Sequence, residues 1–406
     1  VSEQAPFLAL PIDPARLEQA RRPLAVRHRR EKLFRWICAL SAGFCVVLLL
    51  AILVGIIASG VGMLTRTFLT SVPSPVPAES GFYPAIMGSV WLMSIVVIVT
   101  LPTGVAAAVI LEEFRPRRGI GAKLHSVIEI NMTNLAGVPS VVYGIVGLTA
   151  FVSMFGLFGH PLSPGFETGV VYLDQYYNES DAVILAPVAE ASAPPVTPEP
   201  GMVALDGQGR PIEVSIIGPD DPWPEDPELG ARTLRTSDIA GRINERTPFY
   251  FRIPFGRGLL AGALTLGLVI LPIVVITSQE ALRAVPDSLR DAAFGLGATR
   301  WGMVYHVSLP AALPGIMTGS ILATSRAIGE AAPLLMIAGI VFITFPPGNL
   351  MDDFTAMPLQ IYNWAQRPQK EFHDLAASGI VVLLAVLLVF NGAAIVIRNR
   401  FQGRLP

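Results

Sequence analysis

The chain has 406 residues, of which 52% are apolar and only 15% charged, with a mean hydropathy of +0.56. That balance excludes an ordinary soluble globular protein and points to a polytopic membrane protein. The formal net charge of −2 says little, because the charges are sorted by position. Cys38 and Cys45 share the first apolar run and read as packing residues rather than a disulfide or metal pair.

Six runs are long enough to span a bilayer at about 20 residues each. They cover 36–60, 88–111, 138–158, 258–277, 314–345 and 376–397. The third follows an amphipathic or dipping stretch, 119–135, which Pro139 separates from the span proper. The expected divisions are a basic tail (1–35), spans one to three (36–158), an insertion (159–257), and spans four to six with a long loop at 278–310 (258–406). The fold class is all-α and polytopic, with an insertion of partly β, partly irregular character. The stretch before span one lacks a signal-peptide core, so the first run reads as a retained anchor.

Lys and Arg in short flanks set the orientation. They crowd the tail before Trp36, from Arg16 to Arg35. They recur after span two (Arg115, Arg117, Arg118, Lys123), after span four (Arg283, Arg290, Arg300) and at the C-terminus (Arg398, Arg400, Arg404). The opposite short loops carry Arg66, Arg367 and Lys370. Both termini and the 278–310 loop are therefore expected in the cytoplasm. Arg252 and Arg257 run against the pattern, at the end of a long segment where the rule is weak.

The insertion is acidic and contains a proline-rich run at 193–200. Prolines lack the donor that a ladder needs, so this run is a loop or linker. Short strands are expected at 169–173, 182–185 and 213–217, and a hairpin turn at 205–209. Asp220, Asp221, Glu225, Asp226 and Glu228 lack the spacing of a calcium loop and read as a solvated acidic face.

Two stretches carry the function. In the loop, Asp291-Ala292-Ala293 is followed after three intervening residues by Gly297, then after nine more by Val307-Ser308-Leu309-Pro310. Pro286 and Asp287 suit a helix start. Gly295 and Gly297 suit its end, and a second helix is expected from Thr299 to a stop at Pro310. The second stretch, SRAIGEAAPLL from Ser325 to Leu335, puts Arg326 and Glu330 four apart in an apolar helix, hence on one face. A charge at the bilayer centre costs about 2.5–3.5 kcal/mol on insertion scales, so such residues usually mark a pathway. A guanidinium fork also suits a tetrahedral oxyanion. Glu330 either holds that fork or repels an anion until Arg326 swings free; the plainer alternative is an ion pair that only fixes helix register. Ser320, Thr324 and Ser325 add polar groups nearby, and Gly315 and Gly319 offer a small-residue face. Before span three, Glu129, Asn131, Thr133 and Asn134 form a further polar set that either bridges helices or lines a cavity.

The loop resembles the EAA loop of ABC-importer permeases, with Asp for Glu and Val for Ile. The helix, together with IEINMTNLAGVPSVVYG from Ile128 to Gly144, resembles the PstA-type permeases of phosphate-specific ABC importers. The resemblance implies a type I permease fold in the cell inner membrane. It implies a homologous second permease, two ATPase subunits and an extracytoplasmic phosphate-binding protein as partners. It further implies that Asp291, Ala292, Ala293, Gly297, Val307, Leu309 and Pro310 couple to the ATPase, while Arg326, Glu330, Ser325, Asn131 and Asn134 line the pathway. It does not cover 159–257. The chain has no Gly-x-x-x-x-Gly-Lys-Ser/Thr, so no cofactor is expected here; ATP and Mg²⁺ belong to the partner. A membrane enzyme is disfavoured, because the five histidines are scattered. An importer of another oxyanion (sulfate, molybdate or phosphonate), or a part in phosphate sensing, stays open.

Overall fold

The computed structural model describes residues 14–402, apart from 117, 162, 178–181, 189–191, 197–202, 206–209, 231, 236–238 and 340–341. The expected turn at 205–209, the second half of the proline-rich run, Arg117 and Arg404 therefore lie wholly or partly outside the described residues.

In chain order the main helices are α1 (Pro14–Gly60), α2 (Tyr83–Glu113), α3 (Ile120–Ala136) and α4 (Ser140–Gly147), the last carried on by a π-helical turn at Leu148–Val152. After a two-residue antiparallel pair, Gly159–His160 with Ser163–Pro164, seven longer strands follow among the described residues: β1 (Phe166–Tyr177), β2 (Ala182–Val188), β3 (Val203–Leu205), β4 (Pro211–Glu213), β5 (Ser215–Ile217), β6 (Thr233–Arg235) and β7 (Ile239–Ile253). Then come α5 (Leu259–Arg283), α6 (Asp287–Gly295), α7 (Arg300–Met303), α8 (Leu309–Gly329), α9 (Ala332–Ala338), α10 (Met357–Ala365) and α11 (Lys370–Gln402). Among the described residues, five helices are long and apolar enough to cross a membrane. The count is six if α3 and the 140–152 helix, bent 109° apart, form one broken span.

Three expected boundaries are corrected. The division at 35 marks a change of composition only, since α1 continues through it. The third run does not stay helical to 158: after the π-helical turn, Met154 and Phe155 take positive φ and the chain turns out. The fifth run is not one helix to 345. Pro333 stands four residues after Gly329, and its ring conflicts with that carbonyl as a helical acceptor. Glu330 accordingly leaves the helix at ψ 108°, and α9 restarts at Ala332.

The core is built around α5. Leu266, Ile270, Val274, Val275 and Leu282 are fully buried against α2, α8 and α9. At the α5–α8 crossing, a Cβ on Gly319 would lie 2.3 Å from Thr277 Oγ1, and one on Gly315 2.7 Å from Ala281 Cβ. The small residues thus let the two backbones meet. The first α5 amides, on Leu259 and Leu260, donate to the Asp352 and Leu350 carbonyls, so a loop satisfies that helix start. By contrast α1 is exposed along most of its described length and touches the rest mainly through α11, where Ser378 Oγ donates to Gly60 O at 2.7 Å.

Between α4 and α5 lies an antiparallel five-stranded sheet, ordered β4-β3-β2-β1-β7, with β5 and β6 paired in parallel beside it. Asp174 on β1 faces Arg242 on β7. Its carboxylate, 1% exposed, accepts Arg242 Nε at 2.6 Å and the Val196 amide at 2.8 Å. Arg242 also donates to Ala193 O, and Tyr176 OH donates to Val196 O. Charge thus straps the described part of the proline-rich run onto the sheet.

Candidate functional site

The 278–310 loop folds as a compact knob. Pro286 precedes α6 and Asp287 occupies its first turn, where a carboxylate suits the helix dipole. Gly297, at φ 83°, supplies the left-handed turn that ends it. Thr299 Oγ1 caps α7 by accepting the Gly302 amide at 3.1 Å. The expected stop at Pro310 does not occur. A π-helical turn over Val304–Ser308 widens the helix just before that proline, and the rod runs on from Arg300 to Gly329. The wider turn removes the need for a Pro310 donor.

Ala293 is buried in the knob, against the cluster that holds Leu282, Val285, Met303 and Val304. Asp291 and Ala292 are exposed and Gly297 forms the tip, with Leu296 beside it 90% exposed. Trp301 and Tyr305 also face outward. Val307 and Leu309 pack at the margin of the cluster, with Pro310 beginning α8. The pairing in the knob falls to the neighbour of Asp291, Arg290, which donates to Glu113 (3.0 Å), Asp287 (2.9 Å) and the Leu282 and Val285 carbonyls (2.7 and 2.9 Å). Arg283 donates to Glu112 and Glu129, both at 2.8 Å. His125 is buried with Nε2 2.6 Å from Leu111 O; the carbonyl accepts, so Nε2 carries the hydrogen. These contacts bind α2 and α3 to the knob.

At the other end of α8, Arg326 Nε donates to Glu330 Oε1 at 3.0 Å, with the side chains 52% and 16% exposed. Glu330 thus reaches Arg326 from the residue that ends the helix, not from a second turn of it. No other partner of Arg326 is present among the described residues, so both Nη groups remain available. Ser325 turns elsewhere: its Oγ lies 2.5 Å from Asn391 Oδ1 on α11. Asn131 donates to Val127 O on its own helix, and Asn134 lies exposed near the end of α3. The structure brings Arg326 and Glu330 together. It does not join Asn131, Asn134 or Ser325 to them by any hydrogen bond among the described residues.

Residues 101–404 match the family described as the binding-protein-dependent transport system inner membrane component. The chain belongs to that family. It is 26% identical over 368 residues to the probable ABC transporter permease protein YqgI of Bacillus subtilis, covering 87% of this chain and 90% of that protein. It is 42% identical over 145 residues to the phosphate transport system permease protein PstA of Xylella fastidiosa (strain Temecula1), covering 35% and 50%. With PstA of Yersinia pestis it is 37% identical over 137 residues, covering 34% and 46%. The chain therefore spans about half the length of these PstA relatives. A structure of the inward-facing MetNI methionine ABC transporter aligns over 79% of this chain and 94% of its own, at 13% identity and a TM-score of 0.42.

As a member of this permease family the chain is a multi-pass membrane transport subunit rather than an ATPase. Sequence reasoning missed the parts that hold the permease's knob in place: Glu112, Glu113 and Arg283. Each sits at a span end, where charges look like topology signals. It also missed Asn391, whose signal was available, since an amide in the last apolar run needs a partner.

Proposed function

We propose that this chain is the permease subunit of an ATP-driven importer that carries inorganic phosphate into the cytoplasm by alternating access. The observation that carries the reading is the Arg326–Glu330 pair on an apolar helix, with the guanidinium half exposed. Facing lipid, that charge would cost about 2.5–3.5 kcal/mol. A covering protein surface or a water-filled path removes the penalty, and both are features of a shared translocation route. Glu330 engages Nε and leaves the Nη groups to a tetrahedral oxyanion. Similarity to PstA proteins over about a third of the chain supports phosphate as that anion. On this reading a homologous second permease covers the Arg326 face. An extracytoplasmic binding protein delivers the ion. Of two ATPase subunits, one grips this knob through the exposed Leu296, Trp301 and Tyr305 around Asp291 and Gly297. Both termini and the knob are cytoplasmic. Asn131, Asn134 and Ser325 are then positioning or lining groups along the same route.

Uptake of labelled phosphate by vesicles holding the assembled complex tests this. Arg326→Gln is expected to abolish uptake while assembly and ATP hydrolysis persist; wild-type uptake by that variant would sink the pathway role. Competition by sulfate, molybdate and phosphonate identifies the anion, and the similarity to YqgI over most of the chain is reason to include all three.

A further inference from the structure

A second basic site lies at the opposite end of α5 from the knob. The helix is about 37 Å long at 1.5 Å per residue. Around its start, His160, Arg246, Arg252 and Arg257 line a cavity of about 620 Å³. Its floor is the end of the 140–152 helix at Leu148, Val152 and Ser153. Asp353 is the one carboxylate among the cavity-lining residues, so three guanidiniums face one negative charge.

None of these three arginines pairs with a carboxylate among the described residues. Arg252 is held in place by the backbone, its Nε donating to Phe255 O at 3.1 Å and its Nη1 to Pro161 O at 3.4 Å. Arg246 lies over the Tyr250 ring, 4.8 Å from its centroid. Arg257 is exposed and makes no hydrogen bond among the described residues. Arginine in a folded protein is normally matched by an acid, and like charges gathered in one concavity repel. A low-dielectric floor focuses their field outward and raises the local concentration of anions. Planar forks with unfilled donors are suited to oxyanions that accept two hydrogen bonds at once.

We propose that this basin binds a phosphate-class oxyanion, either free inorganic phosphate or the headgroup of an anionic lipid. Resting on the permease reading above, it acts as a waiting site built by the inserted sheet on the side where substrate arrives. Arg252 is the fixed anchor, and Arg246 and Arg257 are the arms that close on the ion.

The test uses the assembled complex in phosphatidylcholine nanodiscs, with Arg326→Gln as background so that the helix site does not contribute. Equilibrium binding of labelled inorganic phosphate is measured at low ionic strength. Adding Arg246→Gln and Arg257→Gln is expected to weaken binding on the order of tenfold or more, the cost of losing charged hydrogen bonds. Asp353→Asn is expected to tighten it several-fold. Neither arginine is bonded to the backbone, so the double variant should assemble; unchanged elution and ATPase rate check this. In phosphatidylglycerol discs, a lipid-filled basin instead shows phosphate excluded from the parent complex, and native mass spectrometry finds bound lipid that the double variant loses. Equal phosphate binding and equal lipid retention in parent and double variant would overturn the proposal. So would a variant that loses only the docking of a binding protein, since the basin would then be an acidic-protein contact. If phosphate binds here but the complex with Arg326 intact imports none, the permease reading fails and the basin stands. If the complex with Arg326 intact imports phosphate and the basin is silent, the reverse holds.

Discussion

Arg290→Ala is the perturbation whose size the structure fixes best. The side chain is 16% exposed and spends its donors on three kinds of partner. Asp287 is 91% exposed, so that arm contributes about 0–1 kcal/mol. The Leu282 and Val285 carbonyls sit where α5 ends, and the Leu282 carbonyl also accepts the Val285 amide at 3.2 Å. Hydrogen bonds from a charged donor to such groups are worth about 1.5–3 kcal/mol each, without simple addition. Glu113 decides the total: at 6% exposed, it would be left as a buried, unpaired carboxylate, and breaking such a pair costs about 3–5 kcal/mol. The expected loss is therefore about 3–5 kcal/mol, concentrated where α2 meets the knob. The assay is a cycle of Arg290→Ala, Glu113→Ala and the double variant, read by reversible unfolding in mixed micelles. The double variant is expected to be clearly less damaged than the sum of the singles, because removing both partners leaves no orphan charge. A loss below about 1 kcal/mol for Arg290→Ala, or strict additivity, would refute the reasoning.

Gly319→Leu drives a side chain into Thr277 across the α5–α8 crossing, where even a Cβ stands 2.3 Å from Oγ1. It should destabilise the fold by about 1–3 kcal/mol or more, seen as a lowered apparent Tm, while Leu322→Ala on an exposed part of the same helix should not. The strap on the sheet should be acid-labile in one direction. Hydrogen bonding from Arg242, helped by the Val196 amide, holds the Asp174 carboxyl below its ordinary value against the opposing effect of burial. A depressed carboxylate contributes stability above its unfolded pKa of about 3.9, and that stability is lost as pH falls through the folded value. Hydrogen exchange at the Val196 amide should stay slow at neutral pH and quicken only below about pH 4, and Asp174→Asn should remove that pH dependence.

What was legible beforehand follows from which forces act locally. The apolar runs of α2, α5 and α11 were visible because the bilayer imposes a length and a composition, though all three helices extend beyond the runs into charged residues. Glycine at 297 was readable because only a left-handed turn explains it between two helical patterns. The break after Gly329 was also written in the chain, at Pro333, but the long apolar run around it concealed the signal. The failed stop at Pro310 has the opposite cause. A proline either breaks a helix or is accommodated within it; Pro102, Pro272 and Pro314 are accommodated inside α2, α5 and α8, and at Pro310 the π-helical turn over Val304–Ser308, with both of those residues buried, does the same. The knob's anchors were invisible for a different reason: Arg283 and Arg290 look like orientation charges until tertiary structure supplies Glu112, Glu113 and Glu129.

The continuous rod from Arg300 to Gly329 bears directly on how the proposed transporter would work. Arg300 and Arg326 are separated by about 39 Å of helix, with no loop between them to absorb movement. The rod is held sideways at discrete points: Gly315 and Gly319 against α5, and Ser325 and Thr318 against Asn391 and Arg398 of α11. Three places along it are weaker in hydrogen bonding than an ideal helix. One is the π-helical turn just beyond the knob, one is Pro314 inside α8, which has no amide to donate, and the last is the Glu330 break just beyond Arg326. A push on the knob would therefore bend or rotate the rod at those three places. The last of them carries the carboxylate that engages Arg326. On this geometry a distant ATPase need not reach the anion site; it need only change the angle at which Glu330 meets the guanidinium.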